Sequence, residues 1–350
     1  MANEGEFPKI DGDILYGSEV NGFNAIGYKT INYIGGDCLG LLAHSATTWT
    51  AYNGTSTLRT TDAGATWGAT SADIADMTGP GTVCDADNTK AIICAHDSAD
   101  ISISSDSGDN WASASVDPAN ITKVWDISFP TAAVAVVACD IGASARSIFY
   151  STDAGDNWTI CTSGPAVDCM VIDMVDANDG IAIDVNDNIW TTNDGGNNWS
   201  DSGQNSVGVT ATGMSSMIAL TSTTYAMVNH DAKFIETGNT TSGGTQRLNI
   251  TDAGPAIVPS NLIKANNGFL YFAIYYYEGA TAVASNVLLY KSKDNGVTWQ
   301  VIPLPLLGHS DDTFITNNFT KALLQEYTTN KIILSIENQV LMLIDESWST

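Results

Sequence analysis

Short apolar runs separated by clusters of Gly, Ser, Thr, Asn and Asp extend along the whole chain, with no long helical pattern between them. Runs of this kind, bounded by turn formers, predict strands and so an all-β fold. The pattern is clearest mid-chain, where strands are expected over 124–129, 134–139 and 147–152, with a fourth opening at Trp158. The next period repeats the order over 170–175, 181–185 and 188–192, then from Trp199 onward. Four strands in about 45 residues is the size of one blade of a β-propeller.

A recurring octapeptide sets the period. Ser or Thr is followed by any residue, Asp, any residue, Gly, two residues and Trp. Its key positions are Asp62, Gly64 and Trp67; Asp106, Gly108 and Trp111; Asp153, Gly155 and Trp158; Asp194, Gly196 and Trp199; and Asp294, Gly296 and Trp299. The first four tryptophans follow one another at 44, 47 and 41 residues, but the last gap is 100, which predicts a decayed copy inside it. The candidate for its place is the turn over 239–245; a rival at 250–254 keeps Asp and Gly but breaks the spacing. The residue types suit a hairpin closure. The carboxylate accepts backbone N–H bonds, the glycine supplies a positive φ, and the indole packs into the sheet at the start of the return strand. None of these roles is catalytic.

This octapeptide resembles the Asp box, or BNR repeat, over about residues 28–345. The resemblance implies a propeller of the kind found in sialidases, sortilin-like receptors, some plant-polysaccharide hydrolases and photosystem assembly factors, with the box between the third and fourth strands of each blade. It implies little about activity, because those families share a fold and not a reaction. The expected architecture is all-β, a propeller of seven four-stranded antiparallel blades, with six as the alternative. In the tail, strands are expected over 331–337 and 339–344, with an inner strand near 321–327. The missing edge strand is expected from the region before Gly27, which hides an open sheet edge. The chain is thus divided into an N-terminal docking or closure segment, 1–27, and a propeller, 28–350.

Residues 11–21, Asp-Gly-Asp-Ile-Leu-Tyr-Gly-Ser-Glu-Val-Asn, resemble a segment common near the start of phage and archaeal-virus tail or fibre proteins. That likeness implies a virion protein that docks through its first residues. Physically the segment reads as an extended piece followed by a helical cap at Ser18; a simple closure strand is the alternative.

Charge narrows the partners. With 13 basic and 39 acidic residues the net charge is −26, a surface that repels phosphate backbones and anionic lipid, so neither nucleic acid nor membrane insertion is expected. No stretch approaches the roughly 18 apolar residues that cross a bilayer. The opening MANEGEFP lacks the basic head and apolar stretch of a secretory signal, which predicts synthesis in a cytosol and, for a virion protein, exposure at the particle surface after lysis. The six cysteines, Cys38, Cys84, Cys94, Cys139, Cys161 and Cys169, show no zinc or C-x-x-C spacing and read as small buried hydrophobes. A bridge between Cys161 and Cys169 under oxidising conditions is the alternative.

Candidate chemistry is sparse. A sialidase needs three arginines converging on a carboxylate, a Tyr–Glu nucleophile pair and an acidic Asp; this chain has only Arg59, Arg146 and Arg247, and no Arg-Ile-Pro motif. No carboxylate pair of a glycosidase stands out among so many acids. The acidic turns at 173–180 and 184–188 superficially resemble calcium loops but lack EF-hand spacing, so no metal or cofactor is expected. His44, His96 and His230 are expected at the ends of second strands, on the face opposite the octapeptides. Asp97 and Asp231 follow two of them, and Asp140 holds the matching place in another blade. These six are the candidate ligand-binding residues. The expectation is a non-enzymatic, virion-associated structural or receptor- or glycan-binding propeller. It would meet other virion or assembly proteins through residues 1–27 and a host glycan or receptor through its loops, with oligomerisation open. The alternatives are an Asp-box glycoside hydrolase (sialidase-like) or lectin, and an intracellular assembly scaffold.

Overall fold

The computed structural model describes residues 9–10, 13–15, 26–31, 40–52, 56–70, 82–87, 90–95, 101–114, 123–140, 142, 145–208, 216–229, 233–250, 257–278, 283–304, 323–328, 331–336 and 339–345. All regular elements among them are strands, and no helix there is long and apolar enough to cross a membrane. Blade one is built from Gly40–Ala43, Trp49–Tyr52, Thr57–Thr60 and Gly68–Ala69, each antiparallel to the next. The same four-stranded meander recurs in blades two (82–113), three (124–160), four (169–205) and five (216–249). In blade six (257–304) the first strand is split into Ile257–Pro259 and Ile263–Lys264, both paired with Leu270–Glu278.

A further sheet unites the two ends of the chain. Leu323–Thr328, Lys331–Ile336 and Gln339–Asp345 are continued by Ile26–Ile31, then by Asp13–Leu15 and Lys9–Ile10. The edge strand expected from the N-terminal region therefore exists, at 26–31 rather than wholly before Gly27. The expected count of seven blades is corrected in one respect. Six blades are each complete within one stretch of chain, and the remaining sheet is a composite of six strands that closes the ring. First strands of successive blades lie side by side, and Leu323–Thr328 lies between Gly40–Ala43 and Ile263–Lys264. The sheets therefore stand round one axis with their first strands innermost, as a propeller.

Apolar side chains fill the layers between blades. Ile92, Ile101, Val137, Phe149 and Trp158 share one cluster between blades two and three. Val171, Ile183, Met217, Tyr225 and Met227 share another between blades four and five. Near the axis, the innermost strands have an edge whose N–H groups need acceptors. Side chains of the preceding blade supply them. Asp85 Oδ2 accepts from Phe129 N (2.7 Å), Asp126 Oδ2 from Ile172 N (3.0 Å), Asp173 Oδ2 from Ala219 N (2.7 Å) and Ser216 Oγ from Leu262 N (3.0 Å). Asp173 is also held by the Ser128 hydroxyl, which donates to its Oδ1 at 2.9 Å. Burial pushes the Asp173 carboxyl up to about 6, although these hydrogen bonds oppose the rise.

All five octapeptides occupy the turn between a third and a fourth strand. Their geometry repeats closely. In blade three, Ser151 Oγ donates to Asp153 Oδ1 (2.8 Å) and accepts from Gly155 N (2.9 Å); Asp153 Oδ1 accepts from Asn157 N (2.9 Å), and Oδ2 from Asn157 Nδ2 (2.7 Å). Thr60–Thr66 and Ser292–Thr298 close the same loop with a threonine hydroxyl in place of the amide. The glycine has positive φ in every copy, and so does the residue before it: Ala63, Ser107, Ala154, Gly195 and Asn295. Trp111, Trp199 and Trp299 donate their indole N–H to the carbonyl of the octapeptide glycine. The hydrogen bonds that each octapeptide carboxylate accepts favour its charged form and lower its pKa. Asp62 falls to about 2, chiefly through the N–H of Thr66. In Asp106, Asp153, Asp194 and Asp294 the hydrogen bonds outweigh a desolvation effect of the opposite sign.

Candidate functional site

The six candidate binding residues do not form one site. His44 follows Gly40–Ala43, the first strand of its blade rather than the second. It therefore lies at the octapeptide end, where its Nε2 is 3.0 Å from Thr50 Oγ1 and a Cβ on Gly108 of blade two would sit 3.2 Å away. First and second strands are equally apolar here, so the run preceding His44 carried no signal of its rank. Asp140 does follow a second strand, Ala135–Cys139, and its bonds are local: Oδ1 accepts from Lys123 N at 3.1 Å, and its own N–H donates to Lys123 O at 3.1 Å. His96, Asp97, His230 and Asp231 lie outside the described residues.

The remaining expectations concern groups that the fold uses internally. Asp176 accepts from the N–H groups of Asn178 and Asp179. Asp184, 1% exposed, accepts from Asn186 N, Asn188 N and Trp190 Nε1. Both acidic turns thus have the ordinary bonding of Asx turns, and no group of three or more metal-ligating side chains occurs among the described residues. Cys94, Cys139, Cys161 and Cys169 are buried free thiols, and burial pushes Cys161 up to about 11. Residue 38 and the side chain of Cys84 are outside the described set. The three arginines sit in different blades. Arg59, on the third strand of blade one, reaches blade two, where Nε donates to Ser107 O (2.8 Å) and Nη1 to Asp109 Oδ1 (3.2 Å). Arg146 precedes the third strand of blade three and donates to Ala145 O. Arg247 is on the fourth strand of blade five.

Blade five holds two features that the sequence reading missed. The Tyr225 hydroxyl donates to Glu236 Oε1, while Glu236 Oε2 accepts from Val207 N at 2.9 Å. Both residues are fully buried. Burial pushes the Glu236 carboxyl up to about 7 and raises the Tyr225 phenol, with the neighbouring carboxylate adding to the effect. A tyrosine bonded to a glutamate has the chemistry of an activated nucleophile; Tyr225 also lines an open recess at the neighbouring turn, while the pair itself is buried. It is roofed by Gly238 and Gly244, where any Cβ would overlap the Tyr225 ring and the Glu236 carboxyl respectively. Those two glycines are its only trace in the sequence.

The second feature is this open recess, of about 250 Å³, at the turn between Phe234–Asn239 and Gly243–Asn249, where the sequence predicts a decayed octapeptide. Thr237, Asn239, Ser242, Thr245 and Arg247 line it from blade five, and Asn295 of the blade-six octapeptide completes it. Arg247 reaches the recess through a register shift. Glu236 pairs with Gln246 but Ile235 with Leu248, so Arg247 is the extra residue of a β-bulge. Bulges re-aim side chains, and here Arg247 Nε donates to Thr237 Oγ1 at 2.6 Å.

No protein-family model matches the sequence, and no curated protein sequence matches it. Solved structures do share its fold. YCF48, in a structure described as bound to D1 peptide, is 14% identical with a TM-score of 0.58, over 94% of this chain and 97% of that one. The GH74 xyloglucanase of Xanthomonas campestris is 15% identical with a TM-score of 0.60, over 89% of this chain and 52% of that enzyme. The WD40 propeller domain of Doa1 is 12% identical with a TM-score of 0.57, over 91% and 96%. Identities this low carry architecture and not activity: the chain is an all-β propeller of four-stranded antiparallel blades.

Proposed function

We propose that this chain is a non-catalytic binding propeller of the Asp-box type, carried on a virion or similar particle and attached through residues 1–27. The observation that carries the non-catalytic reading is the dispersal of its arginines over blades one, three and five, with Arg59 committed to a blade-to-blade ion pair. The octapeptide carboxylates are likewise engaged by their own turns. Among the described residues, the recess in blade five is open to a ligand. Binding of a partner is in keeping with YCF48, whose structure is described with D1 peptide. The likeness to a xyloglucanase favours carbohydrate as a second class of ligand.

The test is a deletion of residues 1–24 with co-sedimentation on the native particle. The truncated protein loses the short strands Lys9–Ile10 and Asp13–Leu15 but keeps Ile26–Ile31 in the closing sheet. It is expected to stay folded by circular dichroism, with at most a small drop in melting temperature, but to stay in the supernatant. Co-sedimentation of the truncated protein contradicts docking through this segment. Hydrolysis of a fluorogenic glycoside by the full chain contradicts the non-catalytic reading.

A further inference from the structure

The octapeptide turns of blades two, three, four and six pack on the second and third strands of the blade before them, and these four contacts are equivalent. A Cβ on Gly108, Gly155, Gly196 or Gly296 would meet, in the preceding blade, Thr50, Ile92, Val136 or Ala226. Their cross-strand partners are Arg59, Ile103, Tyr150 and Thr237. Three of these partners are large and cover the seam between blades. The fourth, Thr237, is small, and the recess opens there.

The seam between blades one and two shows what a guanidinium does at this place. Arg59 lies against Ser107, the residue between the octapeptide Asp and Gly, and its Nη1 pairs with Asp109, three residues after that Asp. In the blade-six octapeptide the equivalents are Asn295 and Val297. Arg247 supplies the guanidinium, delivered by the bulge, but the position of the carboxylate is held by Val297, which is 46% exposed. Beyond Nε, bonded to Thr237, Arg247 makes no further hydrogen bond or ion pair among the described residues. A planar guanidinium with its outer edge open is matched by a carboxylate. The surrounding Asn239, Ser242, Thr245 and Asn295 offer hydroxyls and amides, which donate and accept and so match hydroxyl groups. The volume lies below the roughly 300 Å³ at which drug-sized pockets begin.

We propose that this recess binds a small hydroxylated carboxylate of the size of a sugar acid, its carboxylate taking at Arg247 the place that Asp109 takes at Arg59. The assignment rests on the reading of the chain as a binding module and names one of its ligand classes.

The experiment is calorimetric titration of the full chain with D-glucuronate, and with D-glucose as the neutral counterpart. Glucuronate is expected to bind with millimolar affinity and glucose at least about tenfold more weakly, the loss of one charge-assisted contact. Arg247→Gln should weaken glucuronate about tenfold or more. Val297→Asp is the sharper variant, because it changes an exposed side chain and leaves Arg247 in place. It should recreate the internal pair, occupy the guanidinium and weaken glucuronate several-fold, about fivefold or more, with an unchanged melting temperature. Arg59→Gln, which removes the same charge elsewhere, should leave the affinity unchanged. Equal binding of glucuronate and glucose, no binding of glucuronate, or an affinity indifferent to Val297→Asp overturns the proposal. None of these results bears on attachment through residues 1–27, which the co-sedimentation experiment reads separately.

Discussion

Replacing Glu236 by Gln converts a titrating contact between blades four and five into a neutral one. The carboxyl sits at about 7 in the fold against an ordinary value of 4.5, because burial between the blades disfavours its charge. The sign follows from proton linkage. Below the unfolded value both states are protonated and the fold loses nothing. As pH rises, the unfolded chain ionises first and stability falls until the folded carboxyl ionises too. At about 1.4 kcal/mol per pH unit, the shift removes about 3 kcal/mol of stability between roughly pH 4.5 and 7. Glutamine imitates the protonated acid and does not titrate. It loses an acceptor for Val207 N, a pH-independent offset of about 1 kcal/mol. The assay is urea unfolding of both proteins across this range. The difference in stability, natural minus variant, is expected to fall by about 3 kcal/mol as pH rises from 4 to 8. Asp173, raised to about 6, acts with the same sign but cancels in the difference. A difference that stays flat with pH refutes burial of the carboxyl as the cause.

Asp153→Ala removes the acceptor that closes an octapeptide turn and should cost about 1–2 kcal/mol in urea unfolding, as loss of a helix cap does; Asp156→Ala next to it should cost little. Gly108→Ala places a Cβ on Thr50 at a φ of +76° and should cost more than about 2 kcal/mol. Gly203→Ala, with φ +70° but nothing within 4 Å, should cost about 1 kcal/mol, read by the same unfolding assay. The octapeptide carboxylates stabilise the fold above their ordinary acidity and lose that contribution as pH falls through their lowered values, about 2 for Asp62. Combined with the opposite slope from Glu236 and Asp173, a thermal-melt series is expected to peak at about pH 4–5. A monotonic rise to pH 8 contradicts that balance.

The octapeptide was legible because its parts act locally. Asp, Gly and the closing Thr or Asn bond within a few residues of one another, so sequence spacing is spatial spacing. The invariant Thr or Asn before each Trp (Thr66, Asn110, Asn157, Asn198, Thr298) was there to be read as the partner of the second carboxylate oxygen, and was missed. The strand order inside blades three and four was equally plain, because turns punctuate it. The axial bonds of Asp85, Asp126 and Asp173 were not legible. Each joins residues about 45 apart, and acids are too common in the chain for three of them to stand out. His44 was misplaced because a buried first strand and a buried second strand have the same apolar composition. The recess was hidden for a different reason. It depends on a bulge that turns Arg247 to the face of Thr237 and on a small residue where equivalent blades carry large ones, and both appear only once the strands are in register.

Binding without bond cleavage is tested most directly by one mass balance. The full chain is incubated at equilibrium with an oligosaccharide ending in glucuronate, and the bound and free sugar are recovered and weighed by mass spectrometry. The expected result is retention of the intact oligosaccharide on natural protein, less on the Arg247→Gln variant, and no shorter product in either sample. Accumulation of a cleaved product that depends on Arg247 contradicts a purely binding role.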